Sequence, residues 1–173
     1  SGTKQGAMST FLLDVLTRLT AALGLGVDDY RRALAKSMLV SCDNAHAVHP
    51  NRPDLYDATN RCVMNGGIVI KEAANQHYCT DAFSRAVFVG LCERAGVPVQ
   101  TYANRSDMAG GSTLGNLSNV QASMHAVDVG CAQLAMHSAY ETAGVRDVML
   151  AERALSAFYG ADLHIDAAHA ACW

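Results

Sequence analysis

The stretch Gly67-Ile68-Val69-Ile70-Lys71 is a short apolar run that ends in a lysine, as in a buried strand. A helical pattern follows from Asp81 to Ala95 and is closed by Gly96 and Pro98. A second apolar run covers residues 97–103. This strand–helix–strand order predicts an α/β fold in which helices cover a sheet.

The same two patterns recur along the rest of the chain. Apolar residues at helical spacing predict helices from Ser9 to Leu23, over 28–36 and over 146–159. Short apolar runs predict strands over 37–41 and 125–129, and glycine-rich segments at 65–67 and 110–113 predict turns. With no repeat or linker, we expect one domain with a mixed β-sheet flanked by helices.

The composition limits the possible functions. Of the 173 residues, half are apolar and 17% are charged, against a usual charged share of roughly 25%. We therefore expect some apolar surface to meet another chain. The net charge of −3 argues against nucleic-acid binding, and no apolar run of about 18 residues predicts a membrane span.

The cysteines form no paired or regular spacing, which argues against a disulfide framework or a zinc finger. We expect reduced, mostly buried thiols in a cytoplasmic protein, since the N-terminal residues also lack the order of a signal peptide. The six are Cys42, Cys62, Cys79, Cys92, Cys131 and Cys172.

The densest polar cluster follows the strand predicted over 37–41. Asp43, His46 and His49 lie there at D-x-x-H-x-x-H spacing, and carboxylate with imidazole is the ligand mix of hydrolytic zinc sites. The alternative is a turn with a capping aspartate and surface histidines. His137 is open to the same two interpretations, as a ligand or as an ordinary exposed histidine.

Three weaker signals complete the set of candidates. Lys71 is either a solvated charge at a strand end or an anion-binding group. Arg105 and Asp107 suggest a loop ion pair. The segment 110–115 could hold an anion with backbone N–H groups, although it lacks the lysine of a P-loop.

Taken together and in order, these segments resemble the C-terminal part of the M18 metallopeptidases, the family of aspartyl aminopeptidase and vacuolar aminopeptidase I. The resemblance extends over essentially the whole chain. The matching blocks are residues 41–51 (SCDNAHAVHPN), 67–71 (GIVIK), 97–100 (VPVQ), 104–107 (NRSD), 111–115 (GSTLG), 127–130 (VDVG) and 133–138 (QLAMHS) with Glu141.

The resemblance implies a zinc-peptidase catalytic domain with two metal ions, a bridging carboxylate and a glutamate general base. Asp43 matches the family's carboxylate ligand of one metal ion, and His137 matches the imidazole ligand of the other. His46 matches a histidine that contacts the substrate near the reacting carbonyl, and Lys71 matches a lysine beside the substrate's side-chain pocket. The native metal could be zinc, cobalt or manganese.

The chain also departs from the family pattern. Asn44 stands where the family usually has methionine, and Ser106 where it usually has asparagine. Ala139-Tyr140 replaces an Ile-Arg pair, which puts an arginine contact near the site in doubt. None of these changes removes a metal ligand.

The residues Ser1–Ala7 resemble the segment that follows the family's catalytic glutamate pair. We therefore expect residues 1–173 to be the C-terminal portion of the catalytic domain, with the general base, further ligands and the dimerisation domain upstream, and to be inactive alone. The predicted activity is release of N-terminal, acidic residues from peptides by a homo-oligomer, with leucine preference as an open alternative. A non-catalytic assembly module of the same fold is the second hypothesis.

Overall fold

The computed structural model describes residues 2–166 and 171–172, so Ser1 lies outside the described residues. The helices are α1 (Phe11–Ala22), α2 (Val27–Ala35), α3 (Ala82–Arg94), α4 (Leu114–Gln121) and α5 (Val145–Gly160). The strands are β1 (Met38–Cys42), β2 (Ala45–His46), β3 (Ile68–Glu72), β4 (Val99–Ala103), β5 (His125–Gly130), β6 (Ala132–Leu134), β7 (Thr142–Ala143), β8 (His164–Ile165) and β9 (Ala171–Cys172).

The main sheet is mixed, as predicted, with the strand order β1-β5-β3-β4. β1 is parallel to β5 and β3 is parallel to β4, whereas β3 and β5 are antiparallel. Val129 of β5 pairs with Cys42 on one side and Ile70 on the other. Because β1 and β3 run in opposite directions, their carboxyl termini point towards opposite ends of the sheet.

Strand alternation gives the main sheet two different faces. On one face, Ile68 and Ile70 of β3 and Val127 and Val129 of β5 form the larger apolar cluster with residues of α3 and α5. On the other face, Val69 packs in a second cluster that extends to β2 and β6. The short sheet β2-β6-β7 covers part of this second face and carries loops of the candidate site.

The predicted long elements are confirmed with small shifts at their ends. α3 starts where the sequence indicates, because the Asp81 side chain caps it by accepting a hydrogen bond from the Ser84 backbone N–H at 2.7 Å. α4 was not predicted. Its Asn, Ser and Gly residues are poor helix formers, and the preceding glycines indicated only a turn.

The start of α5 is fastened to the loop before β3. Asp147 is buried and accepts hydrogen bonds from the backbone N–H groups of Asn65 (2.6 Å) and Gly67 (3.1 Å). Gly67 has a φ of 110°, and a Cβ there would overlap the Pro98 carbonyl oxygen. Position 67 therefore requires glycine. The two hydrogen bonds to Asp147 fix the register at which β3 enters the sheet.

Helix α1 buries none of its residues, although its sequence has a clear apolar face. We call its exposed Phe11, Val15, Leu19 and Leu23, which recur every four residues, the α1 stripe. This exposure agrees with the low charge content. No helix in the described part of the chain is long and apolar enough to cross a membrane.

The thiols divide into buried and exposed groups. Cys62, Cys79 and Cys92 are buried and free, whereas Cys42 is exposed at the end of β1. Burial raises the pKa of the Cys62 thiol to about 12, so it stays protonated and unreactive at neutral pH. Cys172 lies outside the residues whose side chains are described.

Candidate active site

A cavity of about 340 Å³ opens on the second face of the main sheet. The four site residues that the family resemblance implies all border it: Asp43, His46, Lys71 and His137. They come from three separate parts of the chain, so only the fold brings them together. Tyr78, Tyr102, Asn104 and Thr113 complete the polar part of the wall.

The segment from Asp43 to His46 is held by backbone pairing. The Asp43 N–H donates to the Val129 carbonyl oxygen at 2.9 Å, and His46 pairs with Gln133 where β2 runs parallel to β6. Gly130 packs closely against the Asp43 carbonyl group. A Cβ at this position would overlap the Asp43 carbonyl oxygen. Asp43 is therefore presented by a fixed backbone, half-buried at the cavity wall.

Lys71 differs from the expectation of a lysine that emerges at a strand end. It is 2% exposed. Because β3 runs antiparallel to β5, the Lys71 side chain lies over the second face of the sheet instead of projecting into solvent at a strand end. Its Nζ donates to the Asp43 backbone oxygen at 2.7 Å and lies 5.6 Å from the centre of the Tyr78 ring. The interpretation of Lys71 as a solvated charge is therefore wrong.

Asp128 is a buried acidic residue that the sequence analysis did not single out as a candidate. It is fully buried, and its Oδ2 accepts hydrogen bonds from the Cys79 backbone N–H (2.6 Å) and the Thr113 hydroxyl (2.7 Å). Burial lowers the pKa of Lys71, and the negative charges of Asp128 and Asp43 oppose that shift. The sequence did contain a sign of this buried carboxylate, since Asp128 stands between Val127 and Val129 in a predicted strand.

Two tyrosines, Tyr78 and Tyr102, form part of the cavity wall. The Tyr102 hydroxyl donates to Asn104 Oδ1 at 2.7 Å, and Asn104 Nδ2 donates to the Tyr78 hydroxyl at 3.2 Å. The rings of Tyr78 and Tyr102 meet edge to face with centroids 6.1 Å apart. This network holds the Tyr78 ring over Lys71 Nζ, so the ammonium has an aromatic neighbour as well as a carbonyl partner.

His46 is exposed at the cavity. Loss of water around its ring lowers the pKa of His46 below the ordinary value of 6.5, and electrostatic interaction with His137 and Lys71 acts in the same direction. The ring is therefore neutral at neutral pH. A neutral imidazole can donate one hydrogen bond and accept another.

His137 lies in a tight turn after β6. Its φ is 67° and that of Ala135 is 55°, both in the left-handed region that non-glycine residues rarely adopt. The Glu141 carboxylate secures the turn by accepting a hydrogen bond from the His137 backbone N–H at 2.5 Å. Such strain is concentrated at functional sites, and here it presents the imidazole to the cavity.

The D-x-x-H-x-x-H spacing does not assemble into one metal site. His49 is absent from the cavity wall, and its Nδ1 accepts a hydrogen bond from the Asn51 backbone N–H at 3.2 Å. Within residues 2–166 and 171–172, no group of three His, Cys, Asp or Glu side chains could hold a metal ion. Zinc sites need three or four protein ligands, so the described residues do not complete one.

The two loop signals from the sequence have different outcomes. Arg105 and Asp107 form the predicted ion pair, with Nε to Oδ1 at 2.5 Å and Nη2 to Oδ2 at 2.6 Å. In the segment 110–115, the Thr113 hydroxyl binds the protein's own Asp128 carboxylate. The Thr113 backbone N–H donates to the His77 carbonyl oxygen at 3.3 Å, and anion binding by the other N–H groups of this segment stays a prediction.

A cavity on one face of a layered α/β domain, with a few converging polar groups among apolar ones, is typical of a small-molecule or catalytic site. A family model described as "Aminopeptidase I zinc metalloprotease (M18)" matches residues 1–159. The chain therefore belongs to the M18 family, as the resemblance in sequence implies.

Individual proteins support the same assignment. The chain is 46% identical over 159 residues to "Probable M18 family aminopeptidase 2" of Clostridium novyi, a match that covers 92% of this chain and 37% of the relative. A solved structure described as "Cryo-EM structure of the Ape4 and Nbr1 complex" has 38% identity, a TM-score of 0.88 and coverage of 92% of this chain and 30% of that one. Another, "Structure of S. cerevesiae mApe1 dodecamer", has 30% identity, a TM-score of 0.80 and coverage of 92% and 35%. The chain thus spans less than two fifths of the length of these relatives.

Proposed function

We propose that this chain is a C-terminal portion of the catalytic domain of a metal-dependent aminopeptidase that releases N-terminal acidic residues from peptides. The proposal is carried by one observation: Asp43, His46, Lys71 and His137 border the same cavity in a chain of the M18 family. The complete enzyme, in this proposal, combines the chain with segments that the relatives have outside the matched region.

Asp43 and His137 are the proposed metal ligands, one for each of two zinc ions. A carboxylate oxygen and an imidazole nitrogen are both ordinary zinc donors. Because no three-donor group exists in the described residues, the remaining ligands in this proposal belong to the rest of the enzyme, as does the general base. The fixed backbone of Asp43 and the strained turn at His137 suit donors that must be held in place.

Lys71 is the proposed selector of acidic substrate side chains. Its ammonium carries three protons, and the one described hydrogen bond uses a single proton, towards Asp43. A substrate carboxylate in the cavity would gain a charged partner that is shielded from water. A neutral side chain would leave that ammonium without a counter-charge on the substrate, which disfavours such substrates.

His46 is the proposed contact to the reacting carbonyl group. Its lowered pKa leaves a neutral ring at neutral pH, which can donate a hydrogen bond to an oxygen without binding a further proton. The ring lies on the same wall as Asp43, so a carbonyl oxygen near the proposed metal ligand is within the same cavity.

For the whole protein we propose a homo-oligomer in the cytoplasm. The exposed α1 stripe and the dodecameric relative support the oligomer. The stripe also supports the second candidate, a non-catalytic assembly module, because an apolar helix face serves assembly whether or not the cavity is active.

The experiment that separates these functions is a peptidase assay of the intact protein. We expect hydrolysis of aspartyl and glutamyl amides that is lost on chelation and restored by zinc. Asp43→Ala and His137→Ala should each lower kcat/KM more than 100-fold, as expected for metal-site ligands. Lys36→Ala, on the exposed end of α2, is the matched control and should retain full activity. An intact protein without zinc-dependent activity would favour the assembly module.

A further inference from the structure

Asn44 borders the cavity next to Asp43, and the orientation of its side-chain amide is fixed by its partners. The Cys131 backbone N–H can only donate, so the oxygen that faces it at 3.1 Å must be Asn44 Oδ1. The Asn44 Nδ2 group therefore faces Gln133, whose Oε1 accepts a hydrogen bond at 2.5 Å. Gln133 is 4% exposed and lies in β6, which makes it a rigid anchor.

This arrangement leaves one amide proton for a bound molecule. Nδ2 carries two protons, and among the described residues only Gln133 accepts from it. Asn44 is exposed and borders the cavity, so its amide group is accessible to a bound molecule.

Asn44 and Lys71 are linked through one peptide unit. Lys71 Nζ binds the Asp43 carbonyl oxygen, which belongs to the peptide unit that joins Asp43 to Asn44. Gly130 packs against the same peptide, because a Cβ there would come within 2.8 Å of the Asn44 Cα. An ammonium donor and an amide donor therefore flank one immobilised peptide at the cavity wall.

We infer that Asn44 is a specificity-determining residue, whose second amide proton binds an oxygen of the substrate's N-terminal side chain beside Lys71. The inference rests on the proposed aminopeptidase function and adds a second requirement to it. Lys71 discriminates by charge, whereas Asn44 discriminates oxygen-bearing side chains from apolar ones of the same shape. The preferred side chain therefore carries an oxygen that can accept hydrogen bonds from both donors.

Three substrates of nearly equal shape separate these two roles in the intact enzyme. Aspartyl, asparaginyl and leucyl amides share a branched γ-position and differ in charge or in hydrogen bonding. The Asp:Asn ratio of kcat/KM measures how strongly the positive charge of Lys71 favours a negatively charged side chain. The Asn:Leu ratio reports the hydrogen bond of Asn44.

We expect Asn44→Met to lower the Asn:Leu ratio about tenfold, mainly by raising KM for the asparaginyl substrate. The matched control is Gln133→Leu, which breaks the same internal hydrogen bond but keeps the Asn44 donor, and it should change the ratio less than threefold. Asn44→Asp keeps an oxygen that accepts from the Cys131 backbone N–H but removes the Nδ2 donor. Its negative charge should repel an aspartyl side chain, so this variant should also lower the Asp:Asn ratio. Thermal melting checks that each variant is folded.

The outcomes are distinguishable. If Asn44→Met leaves the Asn:Leu ratio unchanged, or Gln133→Leu lowers it equally, Asn44 is a structural tie and the inference is overturned. If Asn44→Met acts as expected but Lys71→Met leaves the Asp:Asn ratio unchanged, the acidic specificity fails and the inference about Asn44 stands. An intact protein without aminopeptidase activity would overturn both.

Discussion

Lys71 donates a hydrogen bond from Nζ to the backbone oxygen of Asp43 at 2.7 Å. This bond joins the proposed substrate selector to the proposed metal ligand, so the two functions share one piece of backbone. A change at Lys71 should therefore affect the binding of the acidic side chain and, to a smaller degree, the placement of the carboxylate.

In the intact enzyme, Lys71→Met should lower the Asp:Leu ratio of kcat/KM at least tenfold. Methionine keeps the length of the side chain but removes the buried positive charge. Steady-state kinetics with aspartyl, glutamyl, leucyl and alanyl substrates provide the measurement, with Lys36→Met as the exposed control. A wild-type enzyme that cleaves leucyl substrates best, or an unchanged ratio in Lys71→Met, would contradict the assignment.

The isolated 173-residue chain should show no aminopeptidase turnover. Its described residues offer no cluster of three metal donors, so they cannot hold a metal-bound water for attack. The measurement is hydrolysis of aspartyl and glutamyl amides at micromolar protein with added zinc. Turnover that disappears in Asp43→Ala would show that this prediction is wrong.

Zinc should bind the isolated chain only weakly. Asp43, His46 and His137 border the cavity but form no group of three metal donors in the described residues, and His49 is turned to the Asn51 backbone. Isothermal titration calorimetry should find no stoichiometric site with submicromolar affinity. His49→Ala should leave the weak binding unchanged, and a tight site with one zinc per chain would refute the prediction.

Self-association of the isolated chain should depend on the α1 stripe. Leu19 is 56% exposed, and its replacement by glutamine removes apolar area that the described residues leave uncovered. Light scattering at high concentration should show less association for Leu19→Gln than for wild type. Arg18→Gln, at the neighbouring exposed position, is the control and should behave as wild type. A monomeric wild type at high concentration would count against the role of the stripe.

Asp147→Ala should reduce the free energy of unfolding by about 2–4 kcal/mol. The change leaves the N–H groups of Asn65 and Gly67 without their acceptor at the entry to β3. Asp57→Ala is a suitable control, since Asp57 also accepts two backbone hydrogen bonds but is not buried, and water can replace it. Urea unfolding measures both variants, and equal losses would contradict the argument from burial.

Local patterns were sufficient to predict the long helices and the four main strands. The Asp81 cap and the closing glycine and proline after α3 act within a few residues, so the sequence displays them directly. The resemblance of the motif blocks to one family predicted that Asp43, His46, Lys71 and His137 share one site. Their common cavity depends on pairing between distant strands, which no local pattern specifies.

The burial of Lys71 and the role of Asp128 could not be predicted for the same reason. Both depend on the antiparallel contact between β3 and β5, which reverses the direction of half the sheet. Alternation in residues 127–129 places Asp128 on the face opposite Val127 and Val129. That pattern was visible in the sequence, but the identity of the facing strand was not.

The mixed sheet also has a consequence for the order in which the protein folds. β3 and β4 are parallel partners joined through α3 over roughly 30 residues, whereas β1 and β5 are separated by roughly 90. Closing the longer loop costs more chain entropy, so we expect the β3–α3–β4 unit to gain hydrogen-exchange protection first during refolding. Asp43 follows β1 directly, so its contact with Lys71 forms only when β1 docks. The cavity is thus among the last features to be completed, after most of the apolar core is in place.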